Sequence, residues 1–139
     1  NCIMGKYQST TAVGYFMCAI NPGGNVYAQF QSAPGVYIYR IGTLPVQDGR
    51  WHHVVATYSG TSNAASGIKL YVDGVEDTYS DTQTVGSLGI ITTTSDFTIG
   101  RRGDVGASPL FYPGQIDEAR VYNRVLSLNE VVKLYKMGK

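Results

Sequence analysis

Charge is scarce in this chain. Only 15% of its 139 residues are Asp, Glu, Lys or Arg, and the formal net charge is +1. No run of Lys and Arg exceeds Arg101-Arg102, which argues against nucleic acid and acidic membrane surfaces as partners. Long apolar runs are also missing. None approaches the roughly 20 residues that cross a bilayer as a helix, so membrane insertion is not expected. Histidine is limited to His52 and His53, neighbours that point apart in a strand and are poorly placed to share one metal. They read as a structural pair beside Trp51. There is no internal repeat of solenoid or propeller length. The chain opens at Asn1 with neither an initiator Met nor a signal-peptide pattern, which predicts a mature piece or a fragment.

What is present is β-forming. Hydrophobic residues make up 43% of the chain, eleven residues are Tyr and seventeen are Gly. At this length residues 1–139 form a single domain with a substantial core. The clearest local pattern runs from Gly49 to Gly74. Trp51 to Tyr58 is rich in β-branched and aromatic residues, and Trp51, which opens it, is expected in the core. Ile68, Leu70 and Val72 alternate with Lys69 and Tyr71, and Asp73-Gly74 supplies the positive-φ pair of a tight hairpin. Around this unit lie a first hairpin (Cys2 to Tyr7, Val13 to Ile20), two short aromatic strands (Val26 to Phe30, Val36 to Ile41) and a strand from Phe97 to Gly100. Tyr79 to Ser95 reads as more loop than strand, and Gln115 to Tyr122 as the last strand. Ser127-Leu128-Asn129-Glu130 is a capping box opening a helix to about Met137. The sum is an all-β antiparallel two-sheet jelly-roll sandwich with a short C-terminal helix.

If Gln8 to Ala12 closes the first hairpin, Lys6 faces Gly14 and Cys2 faces Cys18. That register permits a Cys2–Cys18 disulfide and an oxidising compartment. Two buried free thiols fit the residues equally well. Tyr27, Phe30, Tyr37 and Tyr39 fall on consecutive strands and can present rings for sugar stacking, with Tyr37 and Tyr39 the foremost ligand candidates. Arg101 to Gly114 is a long loop with three glycines and two prolines, in which Arg101, Asp104 and Tyr112 form an alternative ligand-contact set. Arg102-Gly103-Asp104 also spells an integrin-binding tripeptide, too short a motif to carry an assignment.

W-H-H-V-V-A-T-Y from Trp51, K-L-Y-V-D-G-V from Lys69, F-T-I-G-R from Phe97 and G-Q-I-D-E-A-R-V-Y-N-R-V-L-S from Gly114 occur in an order and spacing that resembles the laminin-G-like, concanavalin A-like jelly-roll superfamily. The resemblance extends from about Met4 to Tyr135. It implies a non-catalytic module of a secreted or cell-surface protein that binds glycan or surface protein, often with calcium. The alternative is a structural or assembly module without glycan binding. Members of the superfamily carry further strands before the position of Gly5-Lys6, one of them beside the final strand. Their absence implies an exposed edge along Ile116 to Val121, open to a homo-oligomer contact or to strands of a larger chain.

Alternation sets Asp117 with Ala119 and Val121 on what reads as the core face. A carboxylate drawn inward there needs a cation or several hydrogen bonds, and the resemblance makes a structural Ca²⁺ at Asp117 one candidate; backbone amides or an Arg are the other. Sugar-cleaving relatives carry an E-x-D-x-E pattern that places two carboxylates on one face. It does not occur here, and Asp117 and Glu118 must point apart, so no enzyme activity is expected.

Overall fold

Alternation along the chain resolves into two antiparallel sheets and one helix in the computed structural model, which describes residues 1–8, 10–20, 24–60, 64–102 and 110–138. The strands are β1 (Cys2–Gln8), β2 (Val13–Ile20), β3 (Asn25–Ala33), β4 (Val36–Pro45), β5 (Val54–Tyr58), β6 (Ile68–Val72), β7 (Val75–Glu76), β8 (Tyr79–Val85) and β9 (Phe97–Ile99), with α1 at Leu128–Met137. Six strands form one sheet in the order β8-β4-β3-β2-β1-β9, and β5-β6-β7 form the other. The jelly-roll sandwich expected from the sequence is the observed architecture.

Even-numbered positions of β3 and β4 face inward. Val26, Ala28 and Ile38 join Ile68, Leu70 and Val72 of β6 in the main core, where full burial of each large aliphatic side chain contributes about 2 kcal/mol. The turn joining β6 to β7 has positive φ at both Asp73 (52°) and Gly74 (81°), as a type I′ hairpin requires. Tyr71 points to the opposite side of its strand yet is buried, because Val131 and Leu134 of α1, with Leu126 just before the helix, cover that face. The helix begins as its sequence predicts. Ser127 Oγ accepts the Glu130 amide, and Glu130 reaches back to the Ser127 amide at 2.8 Å. Arg124 and then Ser127 hold the Glu130 carboxyl at about 2.

Four expectations need correction. Polar Ser80 to Thr84 belong to β8, an edge strand whose exposed Ser, Thr and Gln side chains suit a solvated rim. Trp51 is 66% exposed, because the strand starts only at Val54. Phe30 does not share a face with Tyr27: three residues apart in one strand, they point oppositely, and Phe30 packs inward on Tyr58 at 4.5 Å between ring centroids. Gln115 to Tyr122 is not a strand. Its alternating pattern is genuine, but a strand needs a neighbour for its amides, and no described strand pairs with it. Glu118 instead takes φ 49° and breaks the extended run.

The narrow sheet covers only part of the wide one. β6 lies over β4 and β3, while Phe97 and Ile99, in register with inward-facing Lys6 and Met4, remain 38% and 52% exposed.

His52 ties the turn before β5 to the hairpin after β6. Its Nδ1 lies 2.9 Å from Asp73 Oδ2 and its Nε2 2.9 Å from Asp48 Oδ1. A neutral imidazole has one N–H to donate, so only the imidazolium satisfies both carboxylates. Burial lowers the His52 pKa, but the hydrogen bonds to Asp48 and Asp73 more than offset it and the net direction is upward. Burial shifts the neighbouring His53 the other way. A raised folded-state value stabilises fully below the unfolded value near 6.5 and loses that effect as pH climbs through the folded value. Chemical denaturation should therefore show wild type more stable than His52→Gln at about pH 5.5, with the gap closing above about pH 8. A gap unchanged over that window would rule out the doubly bonded imidazolium.

Candidate functional site

The outer face of the six-stranded sheet, turned away from the core, carries the aromatic residues that the sequence scatters over four strands. Register brings them together. Tyr27 of β3 lies opposite Cys18 and Ile41, Gln29 opposite Phe16 and Tyr39, and Gln31 opposite Gly14 and Tyr37. Tyr39 and Tyr37 in turn face Gln83 and Val85 of β8. Because side chains alternate across a strand, all of these odd positions of β3 and β4 stand on one side.

The rings form a continuous chain across the sheet. Tyr37 stacks on Tyr39 at 6.1 Å between centroids, Tyr39 meets Tyr27 at 5.4 Å, Tyr27 meets Phe16 at 5.7 Å, and Phe16 meets Tyr7 edge-on at 5.1 Å. Separations in this range suit offset and edge-to-face packing. Tyr7, Phe16, Cys2 and Cys18 are buried, with Arg102 placed over Tyr7 and Phe16 at 5.2 and 5.6 Å. Tyr27, Tyr37, Tyr39 and Gln29 are half-exposed. The accessible part of the ladder is therefore the β3–β4 end.

Polar groups pin the rings. Tyr39 Oη donates to Asp81 at 2.8 Å and Tyr37 Oη to Gln83 at 3.0 Å. Along β3 a one-way relay runs from the Tyr27 hydroxyl to Gln29 Oε1, from Gln29 Nε2 to Gln31 Oε1 at 2.7 Å, and from Gln31 Nε2 to the Ala33 carbonyl at 3.1 Å. Burial, then the nearby Tyr39 phenol, raises the pKa of Tyr27. The hydrogen bond to Asp81 raises that of Tyr39, so both remain neutral hydroxyls at physiological pH. The only acidic residue in the six strands is Asp81, and their only bases, Lys6 and Arg40, sit at inward-facing positions. Apart from Arg102 over its buried end and Asp81 at its rim, the described part of this face is aromatic and amide-rich.

The expected ligand residues divide. Tyr37 and Tyr39 lie on the ladder. Tyr112 does not: it packs against the main core, on the opposite side of the wide sheet, with its amide bonded to the Gly100 carbonyl at 2.8 Å. Arg101 is exposed and its carbonyl accepts Thr98 Oγ1; its neighbour Arg102 is the residue over the rings. Asp104, and with it the tripeptide it ends, lies outside the described residues. Sequence reasoning misses Gln29, Gln31, Asp81 and Gln83. The i, i+2, i+4 spacing of Tyr27, Gln29 and Gln31 is the available signal, but the polar run of β8 reads as a loop.

Asp117 is exposed, not drawn into the core. Its carboxylate caps the next amide, accepting from Glu118 N at 2.8 Å, while Glu118 pairs with Arg120. A calcium site needs about six to eight oxygen ligands. The described residues bring no group of three or more His, Cys, Asp or Glu into metal-binding range. A structural Ca²⁺ does not fit the donor set at Asp117. Cys2 and Cys18 face each other as expected, but both are free thiols in this structure.

Over residues 2–132 the chain matches the laminin G family model described as the Concanavalin A-like lectin/glucanases superfamily. No curated protein and no solved structure matches it.

Proposed function

From the premise that this chain belongs to the concanavalin A-like lectin/glucanase superfamily, we propose that it is a non-catalytic carbohydrate-binding module of a secreted or cell-surface protein. Its ligand is an uncharged glycan laid over Tyr37, Tyr39 and Tyr27. The observation that carries this reading is the ring ladder, whose accessible end is bordered by Gln29, Asp81 and Gln83. Apolar sugar faces stack on such rings, while amides and a carboxylate take the hydroxyls. Hydrogen bonds already fix the ring tips, so little rotamer freedom is lost on binding. A single carboxylate in six strands supports binding over cleavage, since glycoside hydrolysis uses a flanking pair. Arg102 lies at the buried end of the ladder, over Tyr7 and Phe16, and β3, β4 and β8 carry no outward base beside the accessible rings, which favours neutral over sulfated or uronic sugars there.

A glycan array printed with neutral and sulfated oligosaccharides tests this. Retention on neutral glycans, lost in a Tyr37→Ala/Tyr39→Ala variant of unchanged circular dichroism, is expected. Retention that survives the double substitution, or is confined to sulfated glycans, would remove the ligand from this face.

One observation favours a second reading, an assembly module. Asp73 N donates to the His53 carbonyl and Ser59 N to the Gly67 carbonyl, so alternate residues of β5 bond to β6. The main-chain groups of Val54 and Ala56 then point to the open side, where no described strand pairs. Of the four sheet edges, β8 is polar, β9 has three residues and β7 two. β5 is longer than β7 or β9 and reads V-V-A-T-Y, with no charge or proline to block pairing. On this reading the protein self-associates in a concentration series by light scattering, and Ala56→Pro, which removes one outward donor, returns it to monomer. A wild type that stays monomeric throughout would dismiss the second reading and leave the first intact.

A further inference from the structure

Cys2 and Cys18 are directly opposed across β1 and β2, and the hydrogen bonds around them identify the kind of opposition. Ala19 N donates to the Asn1 carbonyl at 2.8 Å, and Cys2 N donates away from β2, to the Leu110 carbonyl at 3.1 Å. Asn1 and Ala19 are thus the bonded neighbours, and Cys2–Cys18 is a non-hydrogen-bonded pair. Such pairs hold their Cα atoms about 4.5 Å apart, closer than bonded ones, within the range of about 4.4–6.8 Å that a disulfide spans. Both thiols are buried and neither is bonded. Cys2 Sγ instead donates to the Met17 carbonyl at 3.4 Å.

We propose that Cys2 and Cys18 are a redox pair that closes to an intramolecular cross-strand disulfide, stapling β1 to β2 at the buried end of the aromatic ladder. With oxidised glutathione as oxidant, the Cys2 thiolate attacks one sulfur of the glutathione disulfide and expels glutathione thiolate. The Cys18 thiolate then attacks Cys2 Sγ in the mixed disulfide and expels the second glutathione. Two protein thiols are oxidised, two glutathiones are formed, and the two thiol protons pass through solvent to the leaving thiolates. The hydrogen bond from Cys18 lowers the Cys2 pKa while burial opposes it, and nearby Arg102 lowers it further. The same hydrogen bond and burial push Cys18 up, so Cys2 ionises first and is the attacking thiol. Cys18 is also the cross-strand partner of Tyr27, which places the bond next to the ring where the accessible ladder begins. The inference is independent of what that face binds.

The test is to incubate the purified chain with oxidised glutathione, once native and once while refolding from urea. Remaining thiols are then counted under denaturing conditions and the intact mass is read. The refolded sample should lose both thiols and two hydrogens without a glutathione adduct and run as a monomer on a non-reducing gel. Closing a loop of about 15 residues should raise its melting temperature by roughly 10 °C, reversed by dithiothreitol. Native oxidation should be slower, since the thiols are buried. Cys18→Ser, treated identically, should stop at a stable glutathione adduct on Cys2. Two free thiols after both treatments, an adduct that persists in the wild type, or a disulfide-linked dimer would each overturn the proposal.

Discussion

Replacing Asp77 with alanine should cost about 3 kcal/mol of folding stability and lower the melting temperature by roughly 10 °C. Asp77 is 2% exposed and lies between β7 and β8, where the chain passes from one sheet to the other. Its carboxylate accepts from Thr43 N at 3.1 and 3.2 Å, from Thr43 Oγ1 at 2.8 Å and from Leu44 N at 3.2 Å. Its own amide donates to the Leu70 carbonyl at 2.9 Å. One side chain therefore fastens the end of β4 to the crossing. The close fit also explains Gly42: a Cβ there would come within 2.0 Å of Asp77 Oδ2. Alanine in place of Asp77 would take a charged acceptor from the Thr43 and Leu44 amides at once, and hydrogen bonds to a charged group are worth more than neutral ones; the Thr43 hydroxyl would keep Thr78 Oγ1 at 2.8 Å. Asparagine there would keep the shape but turn an NH₂ group toward amide donors, so Asp77→Asn should recover only about half of the loss. Urea denaturation near neutral pH measures both. A change under about 0.5 kcal/mol for Asp77→Ala would show that the crossing is held by something else.

The second large effect belongs to the ladder. Tyr39→Ala should weaken glycan binding by about 30-fold or more, corresponding to the roughly 2 kcal/mol that a central aromatic contact carries. Tyr39 touches Tyr37 on one side and Tyr27 on the other, so its removal also releases the rings beside it. Tyr39→Phe keeps the platform and loses only the hydroxyl bonded to Asp81; a few-fold loss is expected. Titration calorimetry with a neutral oligosaccharide retained on the array separates the two variants. Equal losses would mean that the hydroxyl, not the ring, makes the contact. Unchanged affinity in both would move the ligand off this strand.

Much of this architecture is legible in the sequence because its signals are local. Asp73-Gly74 demands positive φ wherever it sits, Ser127 and Glu130 cap one another within four residues, and β6 alternates over a span too short to misread. The Cys2–Cys18 opposition is also readable from loop length. The register beyond it is not, because a bulge between Cys2 and Met4 pairs Lys6 with Tyr15 and not with Gly14. What stays hidden depends on neighbours distant in sequence. Ile116 to Val121 has a strand's alternation, but pairing is a property of two segments. Asp117 belongs to the core only if that alternation is a strand, and without a partner strand it turns to solvent. The polar β8 is a strand because β4 lies alongside to pair with it. As for the candidate site, Tyr37 and Tyr39 can be picked out by type. Asp81 and Gln83 come from a strand some forty residues later, and only the sheet register brings them to the same rings.

Trp51, displaced from the core to a position 66% exposed, has a consequence for how this molecule must be watched. It is the sole tryptophan among eleven tyrosines, so it dominates the intrinsic emission while sitting beside the His52 turn and outside the folded interior. Its native emission should already be near that of an indole in water, leaving little further red shift for unfolding to produce. What signal it does give reports that turn first, and any loosening there ahead of the main transition would shift the apparent midpoint. Near-ultraviolet dichroism, by contrast, draws on the closely packed tyrosines of the ladder. Disagreement between these two probes would ordinarily be taken as the mark of an intermediate. Here it would arise from one exposed indole outside the core, with the sandwich itself still melting as a unit.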